Sequence, residues 1–161
     1  MVKYSFCHRV EAFTGRPVDL ENGAEYYLSS TEDITMRLVE KVLEKQDLRG
    51  VTITFDNLYT SVPLAKKLLV HGISCIGTLR SNRVGLPQEV KAIDGREAYS
   101  TQTWWECVEE YISLTSYVTK TAKKGLKNIL VLSTVPPILG TERDTGRKTP
   151  GIIVRYNKTK G

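Results

Sequence analysis

The most constraining feature of the chain is a short β-branched run, Val51-Thr52-Ile53-Thr54-Phe55, set between two stretches of helical periodicity. Upstream, Ser30-Thr31-Glu32-Asp33 supplies hydroxyl caps followed by acids that suit the positive end of a helix dipole. Ile34, Leu38 and Val42, with Met36, Val39 and Leu43, then recur at helical spacing until 47–50 breaks the pattern. Downstream, Thr60-Ser61 caps a second helix with Pro63 in its first turn, where a missing N–H costs nothing. Leu64, Leu68 and Leu69 form its apolar stripe, and His71-Gly72 stops it before a second short strand, Ile73-Ser74-Cys75-Ile76-Gly77. Helix, strand, helix, strand over 31–78 predicts an α/β fold with parallel strands joined by crossover helices.

The flanks differ. Residues 4–13 alternate loosely and predict a strand ending at the turn Thr14-Gly15-Arg16-Pro17, followed by a polar loop over 19–30. Residues 79–98 hold Gly85, Pro87 and Gly95, with one helical turn near 88–92. From Tyr99 onward the pattern predicts strands at 101–107, 111–119, 129–134 and 152–156, with 123–125 as a hairpin tip and 140–151 as a charged loop.

The chain has 161 residues, 40% hydrophobic and 25% charged, a balance that excludes collagen-like and disordered classes. No apolar run approaches the roughly 18 residues of a membrane span, and the N-terminus lacks the features of a signal peptide. Cys7, Cys75 and Cys107 stand far apart, which predicts free thiols in a reducing compartment, not a disulfide scaffold or a zinc site. The net charge of +5 is a mild bias towards polyanions. Its distribution says more, because positive charge gathers in 120–128 and at Arg143, Arg147, Lys148, Arg155, Lys158 and Lys160.

The candidate site is Phe55-Asp56-Asn57-Leu58-Tyr59-Thr60-Ser61. Asp56 closes a parallel strand, and ligands of open α/β sheets bind outside the carboxyl ends of strands. Its carboxylate there can reach a divalent metal, with Asn57, Tyr59 and Ser61 as neutral polar contacts. The alternative is a strand-end aspartate that caps the following loop. Arg80, Asn82 and Arg83 lie in a basic loop suited to phosphate contact or to a solvated turn. Lys120, Lys123, Lys124 and Lys127 fall on or near the hairpin, as a footprint on DNA or as solubilising charge. Trp104 and Trp105 are strand neighbours and point to opposite faces, one towards the core. His8 and His71 have no partner at ligand spacing and are expected to be structural.

Five collinear motifs resemble the piggyBac-type DNA transposases. Ile53-Thr54-Phe55-Asp56-Asn57-Leu58-Tyr59-Thr60-Ser61-Val62-Pro63-Leu64-Ala65 resembles the family's central catalytic motif, and Gly77-Thr78-Leu79-Arg80-Ser81-Asn82-Arg83, with Pro87, its basic signature. Phe13-Thr14-Gly15, Leu130-Val131-Leu132-Ser133-Thr134 and Tyr156-Asn157-Lys158-Thr159-Lys160-Gly161 are similar to an early turn, a core strand and the start of the last catalytic motif.

The resemblance implies a nuclear protein with an RNase H-like core in which three aspartates hold two Mg²⁺ ions for DNA cleavage and strand transfer. Asp56 matches the middle aspartate and carries the catalytic and metal-ligand roles. Residues 1–78 would be a partial core, 79–151 a β-rich insertion domain and 152–161 the return to the core. The first aspartate is expected before the segment that starts at Tyr4, and the third three positions after Gly161. Neither Asp19, Glu21 nor Asp144 replaces them. The chain is therefore expected to be an inactive fragment of a transposase catalytic domain, with weak or absent Mg²⁺ binding and no small-molecule cofactor. Weak, non-specific, salt-sensitive binding to DNA is expected through Arg80, Asn82, Arg83, Lys123, Lys124, Lys127, Lys158 and Lys160, with self-association through an uncovered sheet edge. The alternative is a domesticated, non-catalytic DNA-binding or interaction module.

Overall fold

The computed structural model describes residues 30–83, 85–106, 111–121, 125–136, 141–142 and 148–160. The strand expected at 4–13 lies outside them, as do Cys7, His8, Asp19, Glu21, Cys107, Arg143, Asp144 and Arg147. Two compact units are present, Met1–Asp47 and Leu48–Gly161.

In the first unit, α1 (Thr31–Leu43) begins at the expected cap. The Ser30 hydroxyl accepts from the Asp33 amide at 3.1 Å, and the Asp33 carboxylate accepts from the Ser30 amide at 3.3 Å, a reciprocal pair that satisfies two end donors. Ile34, Met36 and Val39 are buried, as the helical spacing predicts.

The second unit is built on a five-stranded mixed sheet in the order β1-β2-β5-β4-β3. β1 (Thr52–Phe55) runs parallel to β2 (Ser74–Leu79), with α2 (Val62–Val70) as the crossover. Ser61 caps α2 by accepting from the Leu64 amide at 3.2 Å. Gly72 ends it at φ +68°, the left-handed conformation in which a glycine closes a helix without strain. The helical turn expected near residue 88 is α3 (Gln88–Lys91). β3 (Thr101–Glu106), β4 (Ile112–Thr121) and β5 (Gly125–Ser133) follow, and β4 and β5 form the expected hairpin, with Thr121 opposite Gly125.

Two features of the second unit bear on the sequence reading. β5 pairs antiparallel with β2 through Leu130–Leu79 to Ser133–Ile76, so the strands after residue 79 continue the sheet of β1 and β2. The reason is burial on both faces: residues 130–133 are all buried, and a strand of that kind belongs inside a sheet. Second, 152–156 is not a strand. After the short pair β6 (Thr141–Glu142) and β7 (Thr149–Pro150), the chain forms helix α4 (Gly151–Thr159). Ile152, Ile153 and Tyr156 suit a strand by β-propensity alone. In the fold, Ile153 and Tyr156, three apart on one helix face, dock on Ile76, Tyr117 and Val131.

Strand alternation sorts the two layers. Ile76, Thr78 and Val131 face α4, whereas Gly77 turns to the other side and meets Thr60 ahead of α2. On that second side Lys66 of α2 pairs with Glu106 of β3 at 2.9 Å, and Asn128 donates to the Val90 carbonyl of α3 at 2.9 Å. Trp104 is partly buried and Trp105 is 44% exposed, its ring tilted against that of Tyr111 at 5.3 Å between centroids, so neither lies in the deep core.

Cys75 sits in β2 with its amide donating to the Thr134 hydroxyl at 2.7 Å. Burial pushes its thiol up from the ordinary 9.0 to about 11, against a smaller opposing effect of the Thr134 hydroxyl. The folded thiol thus holds its proton where the unfolded one loses it. This contribution to stability is whole below pH 9 and is lost as pH rises from 9 to 11. The loss is about 1.4 kcal/mol per pH unit in that window. Cys75→Ala is expected to flatten this limb in urea titrations at pH 8, 9 and 10, and an unchanged slope would contradict it.

Candidate functional site

Asp56 leaves the carboxyl end of β1 and turns the chain at once. Its Oδ1 accepts from the amides of Leu58 at 2.9 Å and Tyr59 at 3.4 Å, the local pairing by which an aspartate closes a turn. The Asp56 carbonyl accepts from the Thr60 hydroxyl at 2.6 Å and the Thr60 amide at 3.1 Å. The loop-capping alternative is thus realised, with one carboxylate oxygen. The other, Oδ2, takes no hydrogen bond from the described residues, and Asp56 is exposed. Thr60 is 1% exposed and lies against Gly77, where a Cβ would come within 2.1 Å of its Oγ1. A glycine in mid-strand signals such a close approach, and it was the available sequence clue to this contact.

The loop after β2 folds back on the same turn. Arg80 donates from Nε to the Asn57 side-chain oxygen at 3.0 Å and is otherwise exposed. Arg83 donates from Nη2 to the Asn57 carbonyl at 3.3 Å and to the Leu58 carbonyl. Its Nε is buried without a hydrogen-bond partner. Arg83 therefore turns Nη2 and Nε towards the protein. Asn57 serves both arginines, Tyr59 and Asn82 are exposed, and Ser61 is buried as the cap of α2 and takes no part in the exposed surface.

Helix α4 ends at the same strand. The Thr54 hydroxyl, two residues before Asp56, donates to the Thr159 hydroxyl at 2.9 Å, and Thr159 donates to the Arg155 carbonyl at 3.0 Å. Lys160 lies over the Tyr156 ring, 5.6 Å from its centroid, and Lys158 is exposed on the last turn. The β4–β5 hairpin extends past β2, since Leu130 opposite Leu79 is the last β2–β5 pair at that end. Exposed Lys127 therefore stands about 10 Å beyond that pair, at the end of the sheet from which Asp56 and Arg80 emerge. Lys123 and Lys124 lie outside the described residues.

As to Mg²⁺, no group of three or more His, Cys, Asp or Glu side chains is gathered among the described residues. Asp56 supplies one free carboxylate oxygen, and a hard, octahedral cation needs more oxygen ligands than that. The described residues alone do not fit a two-metal centre. None of the described helices is long and apolar enough to cross a membrane.

A parallel pair with an aspartate at its carboxyl end, inside a mixed sheet, agrees with what comparison with known proteins finds. Residues 4–161 match the family described as Transposase IS4. The chain belongs to this transposase family. Among solved structures, the cryo-electron microscopy structure of a piggyBac transposase synaptic complex with hairpin DNA is 26% identical, with a TM-score of 0.65 over 89% of this chain. This transposase-family chain spans 28% of that relative's length. No curated protein matches it.

Proposed function

We propose that this chain is a DNA-facing part of a piggyBac-like transposase catalytic domain, in which Asp56 is one of the carboxylates that hold divalent metal. The observation that carries the proposal is the junction at β1: a strand-end carboxylate with one free oxygen, beside a helix whose last turn is tied to the same strand through Thr54 and Thr159. In the family pattern a further aspartate follows Gly161 by three positions, so α4 would deliver it towards Asp56. Among the described residues, Asp56 is the carboxylate that the first strand brings to this end of the sheet. Such a protein would work in the nucleus.

Exposed Arg80 and Lys127 share the carboxyl end of the sheet with Asp56 and would meet phosphate there. The chain should bind unrelated DNA duplexes with similar, weak affinity. That affinity should fall steeply between about 50 and 200 mM salt, because each neutralised phosphate releases counterions. Arg80→Gln and Lys127→Gln should each lower the slope of log affinity against log salt by about one. Affinity measurements on several duplexes at four salt concentrations test this. Salt-independent binding, or wild-type slopes in both variants, would refute the DNA-facing assignment.

A further inference from the structure

We propose that Arg83 is the positioning residue for the Asp56 carboxylate, and that it acts through two peptide groups. The proposal rests on the reading of Asp56 as a site carboxylate. The amide of Leu58 and the carbonyl of Asn57 belong to one peptide group, and the amide of Tyr59 and the carbonyl of Leu58 to the next. Asp56 Oδ1 accepts from both amides, while Arg83 Nη2 donates to both carbonyls. In a planar trans peptide the C=O and N–H point in opposite directions. Arg83 and Asp56 therefore grip the same two planes from opposite sides.

Two consequences follow from that geometry. The planes cannot tilt without lengthening a hydrogen bond at each end, so the carboxylate's orientation is coupled to the guanidinium 27 positions along the chain. The guanidinium charge also polarises both peptides in the direction that strengthens their N–H donation to Oδ1. The buried Arg83 Nε agrees with an inward role for this side of the guanidinium. Arg80 shows the contrast: among the described residues it is anchored through Nε alone, and it is exposed.

The test is amide hydrogen exchange by NMR on the full chain, comparing wild type with Arg83→Met, Arg83→Lys and Asp56→Ala. Met keeps length but has no donor, and Lys restores one. Arg83→Met is expected to speed exchange at Leu58 and Tyr59 by about tenfold or more, approaching Asp56→Ala, while the sheet amides of Cys75 and Val131 change by less than about threefold. Arg83→Lys should recover most of the lost protection. Unchanged Leu58 and Tyr59 exchange in Arg83→Met would overturn the proposal. So would uniform acceleration across the sheet or failure to fold, because each marks a general structural role. Neither DNA nor metal enters this experiment. A failure of the DNA-facing assignment would appear in the salt titration instead and leave this result standing.

Discussion

Gly77→Ala is expected to destabilise the chain by about 3 kcal/mol, the upper range for forcing extra atoms into a packed interior. A methyl group at residue 77 would lie 2.1 Å from Thr60 Oγ1 and 3.0 Å from both the Phe55 carbonyl oxygen and Thr60 Cγ2. None of these can give way cheaply. Thr60 is 1% exposed and its hydroxyl is bound to the Asp56 carbonyl at 2.6 Å, while the Phe55 oxygen is backbone at the end of β1. The turn that carries Asp56 would have to lift off β2. Thr60→Ala removes two of the three obstructing atoms, so Gly77→Ala should be milder in that background than in wild type. A double-mutant cycle in urea measures the difference, expected at about 1–2 kcal/mol of coupling. A Gly77→Ala variant within about 0.5 kcal/mol of wild type would show that the loop is free to move, and the close approach would then mean little.

Tyr156→Ala is expected to have an effect of similar size, about 3–5 kcal/mol, as for other large aromatic truncations in a core. Tyr156 is 9% exposed and packs with Ile76, Tyr117, Val131 and Ile153, so it fastens α4 to the sheet. Its hydroxyl lies only 3.4 Å from that of Thr78, a long contact at a partly buried position. Tyr156→Phe should therefore lose less than about 1 kcal/mol, which separates ring packing from the hydrogen bond. Denaturant unfolding gives the totals. Hydrogen exchange should show the α4 amides losing protection first in Tyr156→Ala, since α4 is joined to the sheet mainly through this cluster. Equal losses in Tyr156→Ala and Tyr156→Phe would place the stabilisation in the hydroxyl and contradict the packing account.

Both substitutions act on the junction that the functional proposal uses. Gly77 sets the height of the Asp56 turn over β2, and Tyr156 holds the helix whose last turn reaches Thr54. The site is thus supported from both faces of the sheet. This is why a single exposed carboxylate can be held in a defined place by a short loop.

The segments whose chemistry is local were legible in the residues. Ser30 and Ser61 cap their helices, and Gly72 closes α2, because a cap depends on atoms within a few positions along the chain. The parallel pairing of β1 and β2 also follows from sequence order, since a helix between two strands leaves few other connections. The β-branched run 51–55 placed Asp56 just past the end of β1, where the structure has it.

Other features were decided only by contacts between distant residues. The helix α4 forms over a run that β-propensity assigns to a strand, because Ile153 and Tyr156 gain burial against β2, β4 and β5 only as a helix. Residues 130–133 of β5 are buried, in keeping with the core-strand motif there, but that β5 joins β2 is set by a pairing between segments some fifty residues apart. The partners of Arg83 were beyond reach for the same reason. A basic residue in a polar loop looks alike whether it faces phosphate or its own backbone, and only the fold brings residue 83 against the carbonyls of residues 57 and 58. Sequence by itself determined where α1 and α2 start, where α2 stops and which aspartate closes the first strand of the sheet, because those depend on neighbours along the chain. Tertiary structure decided what α4 is, which strand β5 joins and what Arg83 holds, because burial and long-range hydrogen bonds exist only once the chain has closed on itself.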